Sequence, residues 1–449
     1  MLTLCLGAVL SLPSSPIDVV VFTRTEGFSH GNIARGVEVL QEMAQGRWNL
    51  KVTDDSADLG SDNLEEVEVV VFFNTTMDVL DKPEEASFQR WLEAGGGWVG
   101  IHAAADTEYE WPFYGALLGG AYFVDHPHIQ EATIRLEDPS HPSVRHLLTN
   151  NTNEKPPVWT RTDEWFNYRV SPRAAVHVVA SLDESTYEGG SMGDDHPIVW
   201  TTAPGKGAGI YTGLGHTNES WDEPAFRSHI AGAIQWASSG GWIPLGNLAG
   251  GGWAEHRGWS DVGSATAIDR KLKTTPGTGV LVNGIGGHAG ELLSDATFGD
   301  CDLHIEFMVP AGSNSGVYIQ GRYEIQILDS HGVESPASSD CGGIYERWDE
   351  ERTPKGWQGH SPTVNAAALP GVWQSYDIRF RAPRFDAQGR KVSNAVMERV
   401  MHNGQLIHED VELFGPTRGG LEPEAMTGPI RLQGDHGPVA YRNIRIRRL

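Results

Sequence analysis

The most constraining feature of this chain is a change of period near its midpoint. Up to Ser238, short runs of β-branched and aromatic residues alternate with stretches of helical spacing. After Ser238-Ser239-Gly240-Gly241 the helical period stops, and the sequence is Gly-rich and strand-like to Leu449. A single hydrophobic core stops growing at about 250–300 residues. A chain of 449 residues with two periodicities therefore reads as two domains, 17–238 and 239–449, preceded by an extension over 1–16.

In the first half, Val19-Val20-Val21-Phe22, Val69-Val70-Val71-Phe72-Phe73 and Trp98-Val99-Gly100-Ile101 read as strands buried on both faces. Between them Ile33 to Ala44 and Glu84 to Ala94 have helical spacing, the second started by Pro83. This predicts an α/β fold of flavodoxin type, a parallel doubly wound sheet whose ligands bind beyond the carboxyl ends of the strands. Polar groups follow those ends. Strand one leads to Thr25-Glu26-Gly27-Phe28-Ser29-His30, another to Asn74-Thr75-Thr76, another to His102-Ala103-Ala104-Ala105-Asp106, and Gly209 to Leu214 leads to Gly215-His216. A lone histidine is usually structural, but three at strand ends favour a site.

These segments, with Gly95-Gly96-Gly97-Trp98-Val99-Gly100-Ile101-His102, Asp106-Thr107-Glu108-Tyr109, Asp163-Glu164-Trp165 and Glu219-Ser220-Trp221, resemble the ThuA-like family, named for trehalose utilisation. The resemblance implies a fold related to class I glutamine amidotransferases. Those enzymes place a nucleophilic Cys in the turn after the fourth strand; here that stretch reads Gly100-Ile101-His102-Ala103, so a glutaminase mechanism lacks its nucleophile. His102 is left as an acid/base or a metal ligand, with His30, Asp106, His126, Glu164 and His216 as companions in a second site.

In the second half, recurrent short strands separated by turn signals predict an all-β, two-sheet sandwich of jelly-roll type. His402-Asn403-Gly404-Gln405 is a hairpin turn, because Asn-Gly accepts positive φ. Tyr323-Glu324-Ile325-Gln326-Ile327-Leu328-Asp329 sends Tyr323, Ile325 and Ile327 to one face and Glu324 and Gln326 to the other. Asp302-Leu303-His304-Ile305-Glu306-Phe307 alternates in the same way. If the two polar faces coincide, Glu306 and Glu324 share a groove, to which His436 and Arg442 of the last segment contribute. The alternative is that these polar groups satisfy backbone atoms or face solvent.

Gly312-Ser313-Asn314-Ser315-Gly316-Val317-Tyr318, the Tyr323 to Asp329 strand, Trp373-Gln374-Ser375-Tyr376-Asp377-Ile378, and Leu432-Gln433-Gly434-Asp435-His436-Gly437 with Tyr441-Arg442-Asn443-Ile444 resemble the concanavalin-like domain of 3-keto-disaccharide hydrolases. Many members lack the equivalent of Gly434. The resemblance implies a carbohydrate enzyme acting on a 3-keto-disaccharide or 3-keto-glucoside made by a separate sugar 3-dehydrogenase. A base removes the C2 proton, the C1 oxygen leaves, and water adds to the enone. Glu306, Glu324, His436 and Arg442 are the catalytic candidates, and Asn314, Gln326, Asp329 and Gln433 the substrate-binding ones. A divalent cation held by Glu324 and Asp329 is an alternative to Arg442 as the enolate stabiliser. A competing reading makes the sandwich a carbohydrate-binding module serving a catalytic first domain.

Composition narrows the partners. Lys plus Arg is 34 against 59 Asp plus Glu, a formal charge of −25 without a basic cluster, which argues against nucleic acid. The apolar run Leu2 to Leu12 is too short to span a bilayer and reads as a secretory h-region lacking a basic flank, pointing to the periplasm or secretion. Cys5 lies in that run, and Cys301 and Cys341 are either a pair or two buried thiols.

Overall fold

The computed structural model describes residues 16–150, 157–246, 248, 252–254, 258–284 and 286–449. Cys5 and the apolar run Leu2 to Leu12 lie outside the described residues. The chain divides between Gly241 and Trp242 into two compact units. Among the described residues no helix is long and apolar enough to cross a membrane.

Among the described residues the main sheet of the first unit has nine strands: β1 (Ile17–Phe22), β2 (Trp48–Thr53), β3 (Val69–Phe73), β4 (Gly97–Ile101), β5 (Gln130–Leu136), β6 (Val158–Asp163), β7 (His177–Asp183), β8 (His196–Thr202) and β9 (Ala208–Thr212). Their order is β2-β1-β3-β4-β9-β8-β7-β5-β6. The first five in that order run parallel. β3, β4 and β9 are buried at every position, as strands covered on both faces must be. The helix Lys82–Ala94 starts with Pro83 in its first turn and stops at Gly95, whose φ of 135° only glycine adopts readily.

The sheet is mixed rather than wholly parallel. β8, β7, β5 and β6 pair antiparallel. Toward that edge the strands carry polar residues at alternate positions: β6 buries Trp159, Arg161 and Asp163 and turns Thr160 and Thr162 outward. The antiparallel register returns the end of β6 to the rim where β1, β4 and β9 end, since Asp163 pairs with Gln130 at the start of β5. That rim collects His30, His102, Glu164 and His216.

The second unit is a sandwich. Its larger sheet contains β10 (Ser260–Ile268), β11 (Lys271–Val282), β13 (Cys301–Met308), β16 (Gln374–Arg381), β17 (Ala395–His402), β18 (Gln405–Leu413) and β20 (Ala440–Arg448), ordered β10-β11-β20-β13-β16-β17-β18. The smaller contains β12 (Leu292–Phe298), β14 (Asn314–Ile319), β15 (Tyr323–Leu328) and β19 (Gly428–Leu432), ordered β12-β19-β14-β15. Their inner faces meet in one core. The Tyr323 and Phe380 rings pack with their centroids 5.4 Å apart. The Tyr376 hydroxyl donates to the Gln326 carbonyl at 2.7 Å, and the Ser315 and Tyr441 hydroxyls are bonded at 2.8 Å. Cys301 and Cys341 are buried free thiols, and Cys341 Sγ contacts the Tyr376 hydroxyl at 3.2 Å.

Because Tyr323 and Ile325 face this core, Glu324 and Gln326 face away from it, on the outer side of the smaller sheet. Leu303, Ile305 and Phe307 are buried as well, so His304 and Glu306 lie on the outer side of the larger sheet. The shared groove expected for Glu306 and Glu324 is therefore not formed: alternation was read correctly on each strand, but the strands belong to opposite sheets.

Candidate functional site

The outer face of the smaller sheet carries polar side chains on three neighbouring strands. Tyr318 lies opposite Glu324 on one side and opposite Arg431 on the other, and Leu293 completes the row. One pleat along, Gln326 faces Gly316, whose carbonyl accepts from the Gln433 backbone N–H at 3.0 Å. Gly316 is dictated by this packing: a Cβ there would lie 2.2 Å from Glu324 Oε1. The Arg431 guanidinium sits over the Tyr318 ring at 3.7 Å and its Nε lies 3.3 Å from Glu291 Oε2.

Glu324 is 3 % exposed. Burial pushes its carboxyl up to about 8, with Glu291 adding to the rise and Tyr318 and Arg431 opposing it. It is thus mostly a carboxylic acid at neutral pH that ionises within reach of physiological conditions. Turned amide-end inward, Gln326 donates to Glu324 Oε1 at 3.3 Å and to the Ser315 carbonyl at 2.8 Å. Burial raises the Tyr318 hydroxyl far above the usual range, with Glu324 adding to it.

The remaining expected residues distribute as follows. Asn314 and Gln433 are partly exposed at the end of the same face, and the Asn314 side-chain oxygen is buried without a hydrogen-bond partner. His436 is exposed, pairs with Asp435, and acts on the carboxyl of Glu291 from nearby. Gly434 is packed so tightly that a Cβ would meet the Gly290 carbonyl at 2.3 Å. Asp329 is not brought to Glu324 as a second cation ligand; at the strand end its Oδ2 accepts from the Gly312 N–H at 2.8 Å.

Glu306 and Arg442 are placed elsewhere. They pair directly at 2.6 Å, Asn443 also donates to Glu306 at 2.6 Å, and Arg442 covers Trp373 at 4.1 Å, all on the outer side of the larger sheet. Desolvation raises the Glu306 carboxyl only partly, and Asn443 and Arg442 hold it below the usual value. The arginine that stands near Glu324 is Arg431. Sequence reading missed Arg431, Tyr318 and Glu291, although Tyr318 and Arg431 were recoverable from strand parity once the β14–β15 and β14–β19 pairings were known.

The first unit gathers a second constellation. His102 follows β4 with φ of 51°, at the start of a 3₁₀ turn, so the strand-to-helix elbow is present with an imidazole in it. Its Nδ1 donates to the Gly213 carbonyl at 3.1 Å, which leaves Nε2 facing His216 Nδ1 at 3.0 Å and Glu164 Oε2 at 3.3 Å. His216 Nδ1 is 3.2 Å from the same Glu164 oxygen, and His126 Nδ1 is 3.1 Å from Oε1. The His30 ring stands 5.3 Å from the rings of both His102 and His216. Burial and the neighbouring rings push His30 down to about 3. Asp106 lies to the side, bonded to the Tyr109 hydroxyl, with its carboxyl raised by burial. His30, His102, Glu164 and His216 offer ligand atoms that all lie within 4.8 Å of one another.

A family model for trehalose utilisation (ThuA) matches residues 18–237, and one for a 3-keto-alpha-glucoside-1,2-lyase-like domain matches residues 241–447. No curated protein matches the chain. Among solved structures, a ThuA-like protein from Bacteroides uniformis is 23 % identical, with 51 % of this chain and 95 % of that chain covered and a TM-score of 0.43. A ThuA-like protein from Parabacteroides merdae is 20 % identical over 50 % of this chain and 91 % of its own, with a TM-score of 0.42. A structure described as a glycosyl hydrolase from Parabacteroides distasonis is 25 % identical over 45 % and 89 %, with a TM-score of 0.32.

Proposed function

From a chain that joins a ThuA domain to a 3-keto-alpha-glucoside-1,2-lyase-like domain, we propose that the sandwich cleaves glycosides already oxidised at C3. The observation that carries this reading is Glu324: a buried carboxyl pushed up to about 8, opposite the hydroxyl of Tyr318 and near the Arg431 guanidinium. A base for carbon acids works best when its affinity for protons lies near the operating pH.

The chemistry follows from the keto group. Ionised Glu324 takes the C2 proton; the C2–H electron pair becomes the C2=C3 bond of an enolate, and negative charge develops on the C3 oxygen. In this reading Tyr318 and Arg431 serve as the donors that stabilise that oxygen. The enolate electrons return to expel the C1 oxygen, which takes a proton from Glu291 or His436, at the exposed end of the same face. Water then adds to C1 of the enone while C2 regains a proton, giving a free 3-keto-sugar. An oxidation at C3, carried out by a separate dehydrogenase, must supply the substrate. The ThuA domain is assigned a step on the same keto-sugars.

The full chain should cleave 3-keto-trehalose or a 3-keto-glucoside while leaving the unoxidised sugar intact, read by NMR of the products. A protein that binds the 3-keto-sugar without cleaving it is a carbohydrate-binding module, and the proposal fails.

A further inference from the structure

We propose that His102, His216 and Glu164, faced by His30, bind one first-row divalent cation of the zinc, cobalt or manganese class, leaving one coordination position for a substrate or water oxygen. The site lies in the ThuA domain and is independent of the chemistry assigned to the sandwich.

Three observations carry it. The first is spacing. His102 Nε2, His216 Nδ1 and Glu164 Oε2 form a triangle with edges of 3.0, 3.2 and 3.3 Å. Imidazole nitrogens and carboxylate oxygens bind zinc at about 2.0–2.2 Å, so neighbouring ligand atoms stand about 2.9 Å apart at a right angle and about 3.4 Å apart at the tetrahedral angle. The triangle falls inside that window. A nitrogen-rich set suits first-row transition metals rather than calcium or magnesium, which take oxygen ligands.

The second is orientation. The Gly213 carbonyl can only accept, so His102 Nδ1 donates to it and the other ring nitrogen, Nε2, is turned toward Glu164 and His216. A cation at the centre of this triangle is within reach of all three ligand atoms at once.

The third is His30. It is 8 % exposed, its ring is turned toward both other histidines, and its buried Nδ1 has no hydrogen-bond partner. A buried polar atom without a partner is costly unless something binds there. Around these residues the supports of a metal site are present: Gly213 fixes the tautomer of His102, and His126 holds the outer oxygen of Glu164. Asp163 accepts from the backbone N–H of Glu164 at 3.0 Å, of Gly215 at 2.8 Å and of His216 at 3.0 Å, fixing both ligand-bearing loops.

The test uses metal alone. The full chain, stripped with a chelator and desalted, is titrated with cobalt(II) while the visible ligand-field spectrum is recorded, then challenged with zinc. One equivalent should bind with the intense bands of a four- or five-coordinate site and be displaced by zinc. His216→Ala, whose parent side chain is partly exposed, and His102→Ala should each weaken binding at least about 100-fold, while His436→Ala in the sandwich should bind as the wild type does; circular dichroism melting establishes that each variant is folded. Wild-type protein that takes up no stoichiometric cobalt, or folded His216→Ala that binds as tightly as wild type, overturns the site. No sugar enters the experiment, so its outcome does not depend on glycoside cleavage.

Discussion

Replacing Glu324 by Gln should make the sandwich less sensitive to alkaline pH, and the size of the effect follows from its carboxyl. The group titrates near its ordinary value of 4.5 when unfolded and is pushed up to about 8 by burial in the folded protein. Between those limits the folded state keeps a proton that the unfolded state releases. The stability supplied by this protonated side chain is therefore complete below about pH 4.5 and is lost as pH rises through about 8. Each pH unit in the window costs up to about 1.4 kcal/mol, so the full span is worth on the order of 5 kcal/mol. An amide keeps the shape and has no proton to lose. Urea unfolding of wild type and Glu324→Gln at a series of pH values between about 5 and 8, with the sandwich transition followed in each, should show the variant gaining on the wild type by several kcal/mol. Curves that stay parallel across that range would refute the account of Glu324 as a buried acid.

Three further outcomes are expected. Gly316→Ala pushes a methyl group toward Glu324 Oε1, which is 2.2 Å from the position of the new Cβ; it should cost about 1–3 kcal/mol of stability in thermal melts and most of the activity. Arg431→Met should lower kcat on a 3-keto-glucoside by about 100- to 1,000-fold, the usual effect of removing an oxyanion donor. Glu306→Gln and Arg442→Met, on the outer side of the other sheet, should leave kcat/KM unchanged and shift stability by less than about 1 kcal/mol in denaturant titrations.

Much of this arrangement is written locally. The alternation of Tyr323 to Leu328 states which side chains share a face, and the apolar runs of β1, β3 and β4 state that those strands are covered on both sides. Parity along one strand, however, carries no information about which sheet the strand joins. Glu306 and Glu324 alternate alike and end on opposite outer faces because β13 pairs with β16 and β20, whereas β15 pairs with β14. The same long-range pairing brings Arg431, more than a hundred residues away, into the row of Glu324 and leaves Arg442 out of it. The antiparallel half of the first sheet was illegible for a related reason: its alternating polar residues lack the uniform apolar signature of covered strands, yet β6 is what returns Glu164 to the histidines.

The measurement that bears most directly on the proposed reaction is proton NMR of a 3-keto-glucoside incubated with the full chain in D2O. Wild-type protein should release the leaving alcohol and place deuterium at C2, with kcat/KM rising with pH toward a plateau above about 8 as Glu324 ionises. Glu324→Gln should abolish both release and deuterium incorporation while remaining folded. Cleavage without deuterium at C2, or undiminished cleavage by folded Glu324→Gln, would contradict the account.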